Sequence, residues 1–215
     1  MVATAKYLKP ENLPWLFGFL VANLIVFASV SYFSLQDLPR ALEWFDAHSE
    51  VIGVMGLGVV LMTVISNLVS PSFKALLVFW RWPNPLPGHR AFSHYLRRDP
   101  RIDPERLRDQ IGAFPEDPRE QNNRWYAIYR KHRDEPSVAG AHKDFLLTRD
   151  LTWLSVVFLL SLGSLAISVG ESPTQRFYYP ACLLVQFLLT AVAARRNGIR
   201  FVLNVLAIEA VREDD

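Results

Sequence analysis

The sequence predicts an all-α integral membrane protein, with four transmembrane helices and a helical cytoplasmic module inserted between helices 2 and 3. Hydrophobic residues make up 51% of the chain and charged residues 20%, but the two are segregated, because four long windows contain no charge. Each window is close to the roughly 20 residues that a helix needs to cross about 30 Å of hydrocarbon. No stretch alternates polar and apolar residues with the period of a β-strand.

The four uncharged windows form two predicted hairpins. The spans are residues 13–33, 51–69, 151–169 and 178–194. The N-terminal hairpin occupies residues 1–69 and the C-terminal hairpin residues 151–194. The first window is longer than the about 7–15 apolar residues of a signal peptide, so we interpret it as a true span.

Aromatic and basic residues flank the windows, as they do where helices leave a membrane. The predicted interface residues are Trp15, Trp80, Arg81, Trp82, Trp153, Tyr178, Tyr179, Arg195 and Arg196. We expect these side chains to contact lipid headgroups, which makes membrane lipids the first predicted partner.

The distribution of Lys and Arg predicts the orientation. With four spans, the two termini and residues 70–150 share one side, and that side carries most of the basic residues near the membrane: Lys6, Lys9, Lys74, Arg81, Lys143, Arg149, Arg195, Arg196 and Arg200. The opposite side carries only Arg40 and Arg176. The positive-inside rule therefore predicts a multi-pass protein of the cell (inner) membrane with cytoplasmic N- and C-termini.

Residues 70–150 are rich in helix-start signals. Asp117-Pro118-Arg119-Glu120 combines an N-cap acid, a first-turn proline and a capping-box glutamate, which predicts a helix to about His132. Asp103-Pro104 predicts a shorter helix through Gln110 that Gly112 closes. A further helix from Ser137 is predicted to continue into the third span. These signals predict an all-helical module.

Residues 195–215 are predicted to form a cytoplasmic C-terminal helix or tail. The stretch Gly198–Val211 (GIRFVLNVLAIEAV) is apolar, but it follows Arg195 and Arg196, which we expect at the inner headgroups. It therefore cannot still be crossing the membrane. We predict that it packs as a helix against the cytoplasmic module.

Residues 79–103 (FWRWPNPLPGHRAFSHYLRRDPRID) follow the second span and combine prolines, aromatics and basic residues. The prolines and Gly88 stop a helix and turn the chain, so we interpret this stretch as the exit from the membrane. A ligand or headgroup phosphate site is the alternative, with these candidate residues: His89, Arg90, His94, Arg97 and Arg98. We do not expect nucleic acid to be a partner, because residues 70–150 contain 15 Lys and Arg against 11 Asp and Glu.

No metal site, cofactor or catalytic residue is predicted. His89 and His94 are five positions apart, which does not place them on one helical face, and no His-Glu-x-x-His or paired-cysteine spacing occurs. His132 and His142 fall on apolar helix faces, which is typical of hydrogen-bonded core histidines. Phosphate-loop, dinucleotide-binding and serine-hydrolase motifs are absent from the sequence. We therefore favour a protein that is not an enzyme.

Two amides lie near the middle of predicted spans, Asn23 in the first and Gln186 in the fourth. A side-chain amide facing lipid loses its hydrogen bonds to water without replacement. We expect both amides to face protein, bonded to each other or to a Ser or Thr hydroxyl. Small residues at helical spacing, such as Gly18 and Ala22, favour close helix packing and make a homo-oligomer conceivable.

The leading hypothesis is a non-enzymatic multi-pass membrane protein that acts as a membrane anchor, sensor or membrane-perturbing effector. Its cytoplasmic module would bind a cytoplasmic protein partner or a ligand. One alternative is a membrane enzyme acting on a lipid-like substrate at the inner interface through His89 and His94. The other is a small homo-oligomeric channel.

Overall fold

The computed structural model describes residues 11–32, 64, 66 and 68–211. Within these ranges the chain forms helices and connecting turns and contains no strand, which confirms the all-helical class. Three helical segments of this part of the chain are long and apolar enough to cross a membrane: Leu13–Val30, Pro136–Val169 and Thr174–Val211. Most of the predicted second span, residues 51–69, lies outside the described residues.

Helix α1 comprises Leu13–Tyr32 and corresponds to the predicted first span. Helix α2 comprises Pro71–Phe79 and continues the apolar character past the predicted second span. Trp80 and Asn84 then adopt left-handed backbone conformations, with φ of 52° and 61°, and the chain turns among the prolines that follow. The region after this turn consists of short, irregular helical turns at Pro87–Arg90, Ala91–Tyr95 and Leu96–Arg98.

Helices α3 and α4 begin where the sequence predicts. Helix α3 comprises Pro104–Ile111, and the Asp103 side chain accepts hydrogen bonds from the first-turn backbone N–H groups. Helix α4 comprises Pro118–His132, and the Asp117 side chain caps it in the same way. Each such cap contributes about 1 kcal/mol of helix stability. Gly112 closes α3 at a φ of 81°, a conformation that glycine adopts without strain.

Helix α5 comprises Pro136–Phe158, so the predicted helix from Ser137 does continue into the third predicted span. A π-helical turn at Leu159–Gly163 joins it to α6, Ser164–Val169. The predicted boundary between the module and the third span, at residues 150–151, is a change from charged to apolar composition within one continuous helix. No proline or glycine interrupts the helix between Ala141 and Phe158, so hydrogen bonding continues from the charged part into the apolar part.

After a π-helical turn at Thr174–Tyr178, helix α7 comprises Tyr179–Val211 and also passes the predicted boundary at residues 194–195 without a break. Gly198 lies in this helix and does not end it. A Cβ atom at Gly198 would lie 2.9 Å from ring atoms of both Phe79 and Phe145. The glycine is therefore required for the close approach of the helix to these two rings.

The described residues divide into two compact units. The first, here called the helical module, contains Glu11, Pro71–Arg149 and α7 from Ala191 onward. The second, here called the apolar unit, contains α1 and Asp150–Thr190. Helices α5 and α7 each contribute residues to both units.

The core of the helical module includes the last turns of α7. Phe201, Val202, Val205 and Leu206 are buried in one apolar cluster with residues of α2, α4 and α5. The indole Nε1 of Trp125 also donates a hydrogen bond to the Val202 carbonyl at 3.4 Å. The C-terminal stretch therefore packs on the module as a helix, in agreement with the sequence-based prediction.

A buried amide fastens α4 to the irregular turns. The Gln121 Oε1 atom accepts hydrogen bonds from the backbone N–H of Phe92 at 3.2 Å and of Ser93 at 3.1 Å. The Gln121 Nε2 atom donates to the Glu116 carbonyl at 3.0 Å. One side chain thus satisfies backbone groups that no regular helix pairs.

The apolar unit is held by aliphatic and aromatic contacts between its helices. Its buried cluster consists of Leu20, Leu154, Phe158, Ala166, Tyr179 and Leu183. The Gln186 Nε2 atom donates to Asn23 Oδ1 at 3.1 Å, and Asn23 Nδ2 donates to the Phe19 carbonyl at 2.9 Å. The two amides therefore bond to each other, which is one of the two arrangements that the sequence predicts.

Candidate functional site

The helical module contains a cleft with a volume of about 740 Å³, which is large enough for a small organic ligand. Helices α4, α5 and α7 supply most of its lining. The residues that line it are Pro71, Leu86, Pro87, Asn122, Asn123, Trp125, Tyr126, Tyr129, Arg130, His142, Phe145 and Phe201. We call it the aromatic cleft.

Ring contacts connect the side chains that form the wall of the aromatic cleft. Trp125 stacks on Tyr129 with ring centroids 5.8 Å apart and an interplanar angle of 12°. His142 stacks on Phe201 at 4.5 Å and 4°, and Phe201 meets Trp125 edge-on at 5.1 Å. Each such pair adds about 0.5–1.5 kcal/mol beyond the burial of its area, so these contacts stabilise the wall of the cleft.

The polar groups of the cleft include a neutral pair. The Tyr129 hydroxyl lies 3.0 Å from His142 Nδ1. Burial, with Arg149 nearby, lowers the pKa of His142 to about 4, and burial raises the pKa of Tyr129. Both groups are therefore uncharged at neutral pH. Together with the amides of Asn122 and Asn123, these uncharged groups can form hydrogen bonds with a ligand.

A second cleft, of about 760 Å³, lies beside the end of α7 and is lined by residues that include Lys131, His132 and Glu135. Behind it, the buried Glu209 carboxylate accepts hydrogen bonds from Lys131 Nζ at 2.7 Å and from His132 Nε2. Burial raises the pKa of Glu209, but the bonds from Lys131 and His132 outweigh it and lower the pKa overall. A buried carboxylate held by two donors on α4 is an electrostatic latch between α4 and α7.

The structure brings only part of the predicted headgroup site together. His94 Nε2 lies 2.7 Å from an Arg98 guanidinium nitrogen, and both side chains are exposed. Burial, with Arg98, Arg90 and Arg81 nearby, lowers the pKa of His94. Arg90 and Arg97 are exposed as well.

His89 does not join this group. Its side chain is buried, and burial lowers its pKa despite hydrogen bonding to the backbone of Asn84 and Leu86. The close packing has a steric basis, because a Cβ atom at the preceding Gly88 would lie 2.5 Å from the Asn122 side chain. His89 therefore packs within the turn and lies apart from the exposed His94–Arg98 pair.

The predicted interface residues differ in exposure. The exposed ones are Trp15, Trp80, Trp82, Tyr178 and Arg196, whereas Arg81, Trp153 and Arg195 are half-buried. Tyr179 is buried in the core of the apolar unit, with its ring centroid 5.8 Å from that of Phe27. The first turn of α7 directs this ring into the unit, which sets Tyr179 apart from the exposed interface residues.

Within the part of the chain that the structure describes, no group of three or more His, Cys, Asp or Glu side chains could hold a metal ion. Cys182 is exposed on α7. The buried His132 and the half-buried His142 both have hydrogen-bond partners, as expected for histidines on apolar helix faces.

The aromatic cleft is not among the sites that the sequence predicts. Its wall combines Trp125 and Tyr129 of α4 with His142 of α5 and Phe201 of α7, which are far apart in the chain. The available signal was the i, i+4 spacing of Trp125 and Tyr129, which places two aromatic rings on one helix face. The partner helices of that face could not be read from spacing alone.

Comparisons with protein-family models, with curated proteins and with solved structures find no match to this chain.

Proposed function

We propose that this chain is a non-enzymatic multi-pass membrane protein whose helical module binds a ligand or a protein partner. It would act as a membrane anchor, sensor or membrane-perturbing effector. The aromatic cleft is the observation that carries the proposal, because its helices α5 and α7 are also the ones with long apolar segments. A ligand bound in the cleft would therefore contact α5 and α7, the same helices that would anchor the chain in the membrane.

The proposed topology has four spans in the cell membrane, at residues 13–33, 51–69, 151–169 and 178–194. The three described helices that are long and apolar enough to cross support it, together with the excess of Lys and Arg on one predicted side. Both termini and the helical module would be cytoplasmic. Reporter fusions after Glu50 and Gly170 should read as external and a fusion after Gly112 as cytoplasmic.

Binding fits the chemistry of the aromatic cleft. Ring faces and edges supply large apolar contact, while Asn122, Asn123 and the Tyr129–His142 pair supply oriented hydrogen bonds. This combination is typical of sites for small, mostly apolar ligands with a polar edge. Tyr126 at the rim is half-exposed, with the Arg130 guanidinium 5.8 Å from its ring centroid, so it is open to contact a ligand or partner.

The decisive experiment is affinity purification of the full chain in mild detergent, followed by mass spectrometry of bound small molecules and proteins. The variant Tyr126→Ala removes an exposed ring of the cleft and should leave the fold intact. We expect it to lose the bound species at least tenfold, whereas the control Arg97→Ala, elsewhere on the module, should retain it. Equal retention by both variants would refute binding at the cleft.

Separate measurements distinguish the alternatives. A homo-oligomeric channel predicts dye entry or membrane depolarisation on overexpression, without any bound species. An enzyme acting at the inner interface predicts that His94→Ala abolishes turnover of a lipid-like substrate while the protein still folds and inserts.

A further inference from the structure

We propose that the loop Trp80–Asn84 is a membrane-contact element that inserts the Trp82 side chain into the headgroup region of the lipid surface. The inference does not depend on what the aromatic cleft binds. It rests only on the proposed insertion of α7 into a membrane.

The depth of the loop is fixed by its contact with α7. Arg195 is the first charged residue after the apolar run at residues 178–194. Its guanidinium lies 4.7 Å from the centroid of the Trp80 ring. The Nε and Nη2 atoms of Arg195 also donate to the Val78 carbonyl, at 3.2 and 2.9 Å. The Trp80 ring therefore lies at the level of α7 where the apolar surface ends.

The loop is held rigidly in a conformation that exposes its indoles. The left-handed φ angle at Trp80 is unfavourable for a bulky side chain, whereas asparagine, as at Asn84, adopts this region more readily. Arg81 anchors the middle of the loop, because its Nη1 atom donates to the hydroxyl of the fully buried Tyr95 at 3.1 Å. As a result, 56% of Trp80 and 82% of Trp82 remain exposed. A strained loop that presents two large apolar side chains indicates a contact surface.

A lipid surface fits this loop better than a protein partner does. Tryptophan is enriched at the headgroup level of membranes, where its ring is apolar and its N–H remains hydrogen-bonded. The positive charges of Arg81 and Arg195, whose guanidinium groups also donate to Tyr95 and to the Val78 carbonyl, attract the loop to anionic lipid headgroups. The end of an apolar run on α7 lies beside the loop, which places the indoles at the depth where these preferences apply.

The proposal can be tested by site-directed spin labelling of the full chain in vesicles of phosphatidylethanolamine and phosphatidylglycerol. The chain contains one cysteine, so Cys182→Ser gives a background without thiols. Labels are then placed by Trp82→Cys, Leu189→Cys and Arg97→Cys, at three exposed positions. Leu189 precedes Arg195 by six residues and lies about 9 Å farther along the helix axis, inside the apolar run. Arg97 provides the aqueous control.

Accessibility to oxygen and to a water-soluble nickel chelate reports the depth of each label. We expect the oxygen-to-nickel ratio at position 82 to fall between those at positions 97 and 189. A ratio at 82 equal to that at 97, with 189 lipid-exposed, would overturn the loop proposal alone. Shielding of 82 from both reagents would also overturn it, because a protein surface would then cover the loop. A water-exposed label at 189 would overturn the insertion of α7 and the loop proposal with it.

Discussion

Gln121 shows how a single buried amide organises an irregular part of the module. Its side chain bonds to the backbone N–H groups of Phe92 and Ser93 and to the Glu116 carbonyl. Leucine has a similar volume but no polar atoms, so Gln121→Leu would leave these backbone groups unpaired. Each unpaired buried group costs about 1–3 kcal/mol.

We therefore expect Gln121→Leu to lower the thermal unfolding midpoint of the module markedly. The measurement is thermal unfolding of the purified chain in detergent. The control is Asn123→Leu, at an exposed position of the same helix, which should change the midpoint little. Equal midpoints for the two variants would mean that the Gln121 bonds carry no net stability.

Two helical glycines allow a matched comparison of packing with intrinsic helix preference. Nothing lies within 4 Å of a Cβ atom built at Gly140, whereas one built at Gly198 would be 2.9 Å from two phenylalanine rings. Alanine is favoured over glycine by about 0.8–1.0 kcal/mol in a helix interior. Overpacking of a core costs about 1–3 kcal/mol.

We expect Gly140→Ala to stabilise the module and Gly198→Ala to destabilise it, although the chemical change is the same. Denaturation of both variants beside the unchanged chain measures the difference. Stabilisation by Gly198→Ala would show that Phe79 and Phe145 can move aside without cost.

At the level of helices, the Glu209 latch joins the end of α7 to α4. The buried carboxylate is bonded by Lys131 and His132. A buried hydrogen bond to a charged group contributes about 1.5–3 kcal/mol, whereas an exposed ion pair contributes about 0–1 kcal/mol. Arg200 and Asp144 form such an exposed pair between α7 and α5.

We expect Glu209→Gln to release the last turns of α7, which should raise hydrogen exchange at residues 201–211. Asp144→Asn, which breaks the exposed pair, should leave exchange there unchanged. Faster exchange in Asp144→Asn than in Glu209→Gln would show that the exposed pair, and not the buried Glu209 carboxylate, holds α7 on the module.

For the helical module as a whole, two neutral histidines predict how stability depends on pH. Burial lowers the pKa of His89, and it lowers that of His142, which precedes the apolar part of α5, to about 4. The unfolded chain, with histidine pKa near 6.5, then binds more protons than the folded chain below that pH. These residues therefore contribute full stability above about pH 6.5, and that contribution falls as the pH drops toward 4.

We expect the unfolding midpoint of the module to fall between pH 6.5 and 4.5, and His142→Gln to flatten this slope. The pKa of Glu209 is lowered from its ordinary value of 4.5, so the stability that its carboxylate contributes is lost only below about pH 4.5. The loss caused by the histidines occurs at higher pH and can be measured separately. A midpoint that stays constant from pH 6.5 to 4.5 would show that both histidines already accept protons in the folded state.

Local signals in the sequence predicted local structure well. The caps at Asp103 and Asp117 set helix starts that the structure reproduces, because capping depends on residues within one turn. The Asn23–Gln186 bond was also predictable, since an apolar setting leaves an amide few other partners. Neither the burial of His89 nor the aromatic cleft could be predicted, because both depend on contacts between elements that are far apart in the chain.

The contribution of α7 to the module core has a consequence for biosynthesis. A ribosome completes residues 71–149 well before it adds Phe201, Val202, Val205 and Leu206, which share their core. Until then, Trp125 and Phe145 lack their contacts with Phe201, and the apolar surface that α7 would cover remains open to chaperones and proteases. Maturation of the module must therefore wait until the last turns of α7 have been synthesised. A premature stop codon near Arg195 would leave residues 71–149 in this incomplete state and direct the chain to degradation.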